Sequence, residues 1–115
     1  MKSNPRTDQT YIEHMLDCIA RIEDYTQLER EKFFGSMMIQ DAVIRNLQVL
    51  AESSQRLSQQ TKSSTPQVPW RALSGFRNIV VHDYLGLDME TIWKVVESEL
   101  PPLKDSLNRL RQIDS

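Results

Sequence analysis

The stretch RNIVVHDY, from Arg77 to Tyr84, holds the side chains of this chain best suited to chemistry. Histidine transfers protons near neutral pH, so His82 could act as a general acid or base. Arginine carries a permanent charge on a planar set of N–H donors that fits a phosphate, so Arg77 could bind one. The two residue types together suit the cleavage of RNA without a metal ion.

In such a reaction His82 would take the proton of a ribose 2′-hydroxyl or give one to the leaving 5′-oxygen. Arg77 would hold the phosphate and stabilise the charge that grows on its oxygens. The fragments would end in a 2′,3′-cyclic phosphate and a 5′-hydroxyl. DNA, which has no 2′-hydroxyl, would resist cleavage.

The spacing of these residues sets a geometric condition. Arg77 and Tyr84 are seven apart and share one face of a helix. Arg77 and His82 are five apart, so on a regular helix they diverge by roughly 140°. Either the helix loosens before His82, or a second subunit supplies the complementary residue.

A structural explanation of the same stretch stays open on spacing alone. Ile79 and Val80 would enter the core, and His82 would lie in the last helical turn, where the helix dipole favours a partial positive charge. Asp83 and Tyr84 would begin a loop. The R-x(4)-H spacing by itself does not decide between this explanation and an active site.

Four amphipathic helices are predicted to position the stretch. Thr7 or Asp8 caps the first helix, and the second runs from about Ser36 to Gln60. The segment TKSSTPQVP reads as a loop, and Pro69 stands in the first turn of the third helix. Asp88 caps the fourth helix. These elements predict an all-α, up-and-down four-helix bundle.

The last helix contains a double proline at Pro101 and Pro102. Proline has no backbone N–H and clashes with the preceding turn, so a kink is predicted near Glu97 to Leu100. Between the first two helices, the segment LEREKFFGS breaks the apolar pattern and predicts a turn or kink at Gly35 and Ser36.

Length and composition restrict the class of protein. The 115 residues fit one domain, 1–115, and three glycines favour helices over many strands. A formal charge of −2 disfavours a generic nucleic-acid coat. Cys18, the only cysteine, is predicted to be a buried thiol. With no signal peptide or membrane span in the sequence, we expect a cytoplasmic protein that needs no metal or cofactor.

Three segments carry a resemblance to a known family. They are DAVIRNLQVL in the second helix, PWRALSGFRNIVVHDYLGLD across the motif, and ELPPL at the double proline. In this context the chain resembles the HepT-type toxins of the HEPN superfamily, and Arg77, His82 and Tyr84 match the family's R-x(4)-H-x-Y signature. The segment LAESSQ departs from a Gly-Glu-Ala sequence common in relatives, which concerns helix packing.

The resemblance implies a homodimer in which two motifs form a composite ribonuclease site from Arg77 and His82. It also implies a partner, a nucleotidyltransferase antitoxin of the MNT type, that adenylylates Tyr84. The added AMP would repel and block RNA beside the site. The RNA could be messenger or transfer RNA.

Further residues have two explanations each. Asp41 matches an acidic residue near the family's site and would orient Arg77 or His82, but it could equally pair with Arg45. Asn78 would support the site or cap and pack the helix. Trp70 would stack on a base or anchor the core. The whole chain could also be a non-catalytic helical module that serves as partner and substrate of the nucleotidyltransferase.

Overall fold

The computed structural model describes the backbone of residues 5–82 and 88–114 and the side chains of residues 7–77 and 88–111. Over these residues the chain is helical and contains no strand, so the predicted all-α class is confirmed. In the described part, the helices are α1 (Pro5–Thr26), α2 (Arg30–Phe34), α3 (Met37–Gln55), α4 (Gln59–Ser63), α5 (Trp70–His82), α6 (Met89–Lys94) and α7 (Leu100–Asp114). A π-helical segment, Val95–Glu99, joins the last two.

The long helical segments pack into a bundle with α3 at its centre. Helix α3 lies against both α1 and α5, and α1 also packs against α7. Helices α1, α3 and α7 each turn one apolar stripe inward, as the sequence pattern predicts. The described residues that are completely removed from solvent come from four of the helices: Ile12, Met15, Ile19, Ile22 and Thr26 of α1, Phe33 of α2, Val43, Leu50 and Ala51 of α3, and Leu107 of α7.

The sequence predicts a turn or kink between α1 and α3, and the structure has a short helix in this segment. Helix α1 ends at Thr26, and the next two residues, Gln27 and Leu28, have positive φ angles of 52° and 58°. The chain then forms the short helix α2, which the pattern did not predict. The Phe33 side chain of α2 is fully buried and stacks on the indole of Trp93, with ring centroids 5.4 Å apart.

The second predicted helix, Ser36 to Gln60, is too long at its C-terminal end. Ser36 is the N-cap, and its side chain accepts a hydrogen bond from the backbone of Ile39. Helix α3 stops at Gln55, and Ser58 then caps the separate helix α4. The predicted loop TKSSTPQVP therefore starts inside a helix, because a local serine cap competes with continuation of α3.

A buried carboxylate fixes α4 to the first turns of α1. Asp8 is 3% exposed and accepts hydrogen bonds from the Ser58 backbone N–H at 3.0 Å, the Ser58 hydroxyl at 2.7 Å and the Thr61 hydroxyl at 2.5 Å. Burial raises the pKa of Asp8, but the hydrogen bonds from Thr61 and Ser58 outweigh it, so the pKa lies below its ordinary value. Thr7 or Asp8 is the predicted cap of α1, but α1 begins before both, at Pro5, and Asp8 instead binds Ser58, the cap of α4.

The last helix follows the predicted apolar seam and is interrupted where the prolines predict. The Asp88 side chain caps α6 by accepting from the backbone of Glu90 at 3.0 Å. Pro101 and Pro102 occupy the first turn of α7, directly after the π-helical segment. Prolines have no N–H to donate to the carbonyls of the preceding turn. The two prolines therefore explain why the winding changes from α-helical to π-helical directly before them.

Candidate functional site

Helix α5 carries the motif and is α-helical from Trp70 through His82. Because the backbone stays α-helical up to His82, loosening of the helix does not bring Arg77 and His82 together. Their positions on the backbone stay five residues apart on a regular helix and diverge by roughly 140°. The side chains of Asn78 and His82, and Tyr84 as a whole, lie outside the described part of the chain.

Arg77 is exposed on α5 and is held against α3 by two side chains. Its Nε lies 2.8 Å from Oε1 of Glu52, and its Nη1 donates to Oε1 of Gln55 at 3.2 Å. The side chains of Arg77 and Glu52 are 47% and 43% exposed. A guanidinium has five N–H donors, so these two bonds leave donors free for a phosphate. Arg77 is therefore accessible, charged and oriented.

Neither partner of Arg77, Glu52 or Gln55, is predicted by the sequence pattern. Glu52 lies eleven residues after Asp41, three helical turns later, so both carboxylates share one face of α3. That shared face was the available signal. Asp41 is exposed, and Arg77 forms an ion pair with Glu52. The expected role of Asp41 toward His82 involves a side chain outside the described residues.

The alternative partner for Asp41 was Arg45, four residues later. Asp41 takes part in an interaction in the structure, so it is not without a partner. Its expected role toward Arg77 or His82 and the alternative pair with Arg45 both stay predictions.

Described residues anchor the chain on both sides of residues 83–87. Before this segment, Arg77 is bound to α3. After it, Asp88 caps α6, and Glu90 forms a two-bond ion pair with Arg30 of α2, one bond being 2.9 Å long. The Arg30 guanidinium also lies over the Phe34 ring, 4.4 Å from its centroid. The hydrogen bond from Arg30 lowers the pKa of the Glu90 carboxyl.

Other residues with reactive side chains have structural roles. Cys18 is 1% exposed, and burial raises the pKa of its thiol, so it lacks the properties of a nucleophile, as predicted. Trp70 packs against the core, and its Nε1 donates to the Thr65 hydroxyl at 3.1 Å, which confirms its role as an anchor. Trp93 is buried in the core. His14 is exposed on α1 beside Tyr11.

The described residues form neither a membrane-spanning helix nor a cluster of metal-binding side chains. Over residues 5–82 and 88–114, no helix is both long and apolar enough to cross a membrane. Within the same part of the chain, His, Cys, Asp and Glu side chains form no group of three or more that could hold a metal ion.

Comparison with known proteins identifies the family. The family profile described as "Ribonuclease HepT-like" matches residues 15–110, which include the described part of α5 and the whole R-x(4)-H-x-Y signature. The chain belongs to the HepT-like ribonuclease family, as its resemblance in three sequence segments predicted. No solved structure gives a significant match.

Curated relatives agree with this assignment. A Thermococcus cleftensis protein named "Probable ribonuclease HepT" is 32% identical over 108 residues, which cover 93% of this chain and 98% of that protein. A Methanocaldococcus jannaschii protein with a provisional RNase name is 30% identical over 100 residues, covering 86% and 92%. A second M. jannaschii protein, named a gamma-glutamylcyclotransferase with a provisional RNase assignment, is 32% identical over 103 residues. These cover 89% of this chain but only 46% of that longer protein.

Proposed function

We propose that this protein is the toxin of a HEPN/MNT toxin–antitoxin pair, an endoribonuclease that cleaves cytoplasmic RNA without a metal ion. Two facts support the proposal. The chain belongs to a ribonuclease family, and Arg77 of the family signature is exposed, charged and held in one orientation by α3. The exposed Arg77 is the single observation that carries the proposal, because a phosphate-binding cation must be reachable by RNA.

The proposed reaction is an internal transesterification. His82 removes the proton from a ribose 2′-hydroxyl, and the 2′-oxygen attacks the adjacent phosphorus. The bond from phosphorus to the 5′-oxygen breaks, and His82, protonated in the first step, gives that proton to the leaving oxygen. Arg77 stabilises the extra negative charge on the phosphate oxygens through N–H groups not used by Glu52 and Gln55. The products are a 2′,3′-cyclic phosphate and a 5′-hydroxyl.

The regular geometry of α5 favours a site shared between two copies of the chain. On one helix the positions of Arg77 and His82 point roughly 140° apart. In a two-fold dimer, Arg77 of one copy can face His82 of the other, and the symmetry generates the same pairing twice. We therefore propose a homodimer with two composite sites, to which Asp41 and Asn78 contribute supporting contacts.

Regulation is proposed to act on Tyr84, two residues after His82. An MNT-type nucleotidyltransferase would transfer AMP to the Tyr84 hydroxyl, breaking the bond between the α- and β-phosphates of ATP and releasing pyrophosphate. The attached phosphate would repel the RNA backbone, and the adenosine would occupy space beside Arg77 and His82. Mass analysis after incubation with the partner and ATP should detect AMP on the parent chain and none on Tyr84→Phe.

Complementation between two inactive variants tests the composite site. Arg77→Ala and His82→Ala, each prepared alone, should not cleave RNA. A co-refolded equal mixture should recover about a quarter of the parent activity, since half of the dimers are mixed and each mixed dimer has one intact site. A mixture that stays inactive, while mixed dimers are recovered with two different affinity tags, contradicts the shared site.

RNA cleavage and AMP transfer, assayed together, address the alternative of a non-catalytic binding module. If parent protein without AMP leaves RNA intact, while Tyr84 still accepts AMP from the nucleotidyltransferase, the chain acts as partner and substrate of that enzyme. If it cleaves RNA and the single variants do not, the ribonuclease proposal stands.

A further inference from the structure

A polar pocket of about 390 Å³ lies where α3, α4 and α5 meet. Two cationic side chains line it: Lys62 from α4 and Arg71 from the first turn of α5. The described residues that line this pocket include no aspartate or glutamate. The chain as a whole has a formal charge of −2, so the pocket is a local concentration of positive charge on an otherwise acidic protein.

Both cations are available to a ligand. The backbones of Lys62 and Arg71 form hydrogen bonds, but between described residues no hydrogen bond or ion pair involves either side chain, whereas the side chains of Arg77, Lys104 and Arg111 each form one. The nearby carboxylate of Asp8 attracts Lys62 electrostatically, but it already accepts hydrogen bonds from three donors of α4 and its cap. An anion that binds here therefore displaces no side-chain partner among the described residues.

The remaining walls of the pocket also suit a phosphate. The Ser63 hydroxyl accepts from Nε2 of Gln59 at 3.5 Å, so its own proton is free to be donated. The Trp70 indole is fixed by its bond to Thr65 and forms a rigid side of the pocket. An ammonium, a guanidinium and a hydroxyl proton together match the acceptor oxygens of a phosphodiester.

Helix α5 connects this pocket directly to the motif. Arg71 and Arg77 are separated by about 9 Å of helical rise. Positions 71 and 82 are eleven apart, three turns, so they fall on the same face of α5. Gly75 lies between them, and a side chain added there would meet nothing within 4 Å. The surface at Gly75 is therefore open to a strand laid along the helix.

We propose that the Lys62–Arg71 pocket binds a backbone phosphate of the RNA substrate, a few nucleotides away from the bond that is cut. This inference rests on the proposed ribonuclease function and adds a second contact to it. Positions 71 and 82, which share a face, are separated by about 17 Å of helical rise, and at about 3.4 Å per stacked nucleotide this corresponds to about five nucleotides. The pocket holds the strand in register, while the motif performs the reaction.

Binding of an RNA that cannot be cleaved tests the pocket apart from catalysis. The probe is a short single-stranded 2′-O-methyl oligoribonucleotide, and the protein carries His82→Ala. Adding Lys62→Gln and Arg71→Gln should weaken binding by about tenfold. Between about 50 mM and 200 mM salt, the slope of log affinity against log salt should fall by about 0.7, the value for one lost phosphate contact on a single strand.

Matched variants separate a phosphate contact from general charge. Lys104→Gln with Arg111→Gln also removes one lysine and one arginine, on α7, where both side chains face α1. That pair should leave the slope unchanged. Lys62→Arg with Arg71→Lys keeps the two charges and should retain most of the binding.

The outcomes distinguish the two proposals. Equal losses in the pocket variant and the α7 variant would overturn the pocket, because charge alone would then explain the effect. Unchanged binding in the pocket variant would overturn it as well, and would leave the ribonuclease proposal intact. If the His82→Ala parent binds no RNA at any salt concentration, both proposals fail together.

Discussion

The ion pair between Arg77 and Glu52 predicts how RNA binding changes when Glu52 loses its charge. A scissile phosphate bound by Arg77 must compete with the Glu52 carboxylate, which lies 2.8 Å from Nε. Glu52→Gln keeps the size of the side chain and removes the negative charge. We expect this variant to bind RNA more tightly and to cleave it at an unchanged rate when RNA is saturating.

The size of the effect follows from the exposure of the pair. Both side chains are more than two-fifths exposed, so water and salt screen their attraction. Exposed ion pairs contribute about 0.2 to 1 kcal/mol. Release of that attraction should lower the dissociation constant or the KM for single-stranded RNA by about 1.4- to 5-fold.

The assay measures KM and kcat with one RNA substrate at low and high salt. Glu13→Gln is the matched control, because Glu13 forms a similarly exposed pair with Arg111 at 3.5 Å on α1 and α7. This control changes the net charge by the same amount and should leave KM nearly unchanged. A fall in kcat for Glu52→Gln, with thermal stability retained, would refute the competition and indicate that Glu52 positions Arg77 during the reaction.

Three further predictions concern the fold. Asp8→Asn should lower the free energy of unfolding by about 1–3 kcal/mol, as measured by urea denaturation, because an amide NH₂ replaces a carboxylate oxygen that accepts hydrogen bonds in a buried site. The pKa of Asp8 lies below its ordinary 3.8, so the stability that its charge contributes should be present above that pH and be lost as the pH falls through the folded pKa. A free energy of unfolding that rises toward acid pH would contradict the assignment. Phe33→Ala should cost about 3–5 kcal/mol in the same measurement, since the ring is fully buried against Trp93, and a loss below about 1 kcal/mol would show that α2 is not part of the core. Cys18 should react with a thiol reagent only as fast as the protein unfolds, because it is buried and its pKa is raised; rapid labelling of the native chain would exclude this.

The features predicted correctly from the sequence are those that depend on neighbours along the chain. The Asp88 cap acts on the residues directly after it, and Val43, Leu47 and Leu50 occupy one face of a single helix. The position of the interruption in the last helix also followed from two adjacent prolines, although its π-helical form did not.

The features that were missed involve contacts between distant residues. The end of α3 depends on Asp8, fifty residues before Ser58, because its charge stabilises the start of a new helix. Glu52 reaches Arg77 only because α3 and α5 pack together. Helical periodicity gives the face on which a residue lies, but it does not give the residue opposite on the neighbouring helix.

At the candidate site, too, residues of the sequence motif were predicted and contacts between helices were missed. The motif and its family context identified Arg77, and the structure confirms that it is accessible on α5. The roles of His82, Tyr84 and Asn78 remain predictions from the motif. The Lys62–Arg71 pocket has no sequence signature, since its two cations come from different helices, nine residues apart and separated by a loop.

Cleavage of RNA by the isolated chain in the presence of EDTA tests the central claim most directly. The protein must first be shown by mass to carry no AMP on Tyr84, and His82→Ala must be assayed in parallel. We predict fragments that end in 2′,3′-cyclic phosphates with the parent chain and intact RNA with His82→Ala. Intact RNA with the unmodified parent, or equally fast cleavage by His82→Ala, would contradict a metal-independent ribonuclease built on this motif.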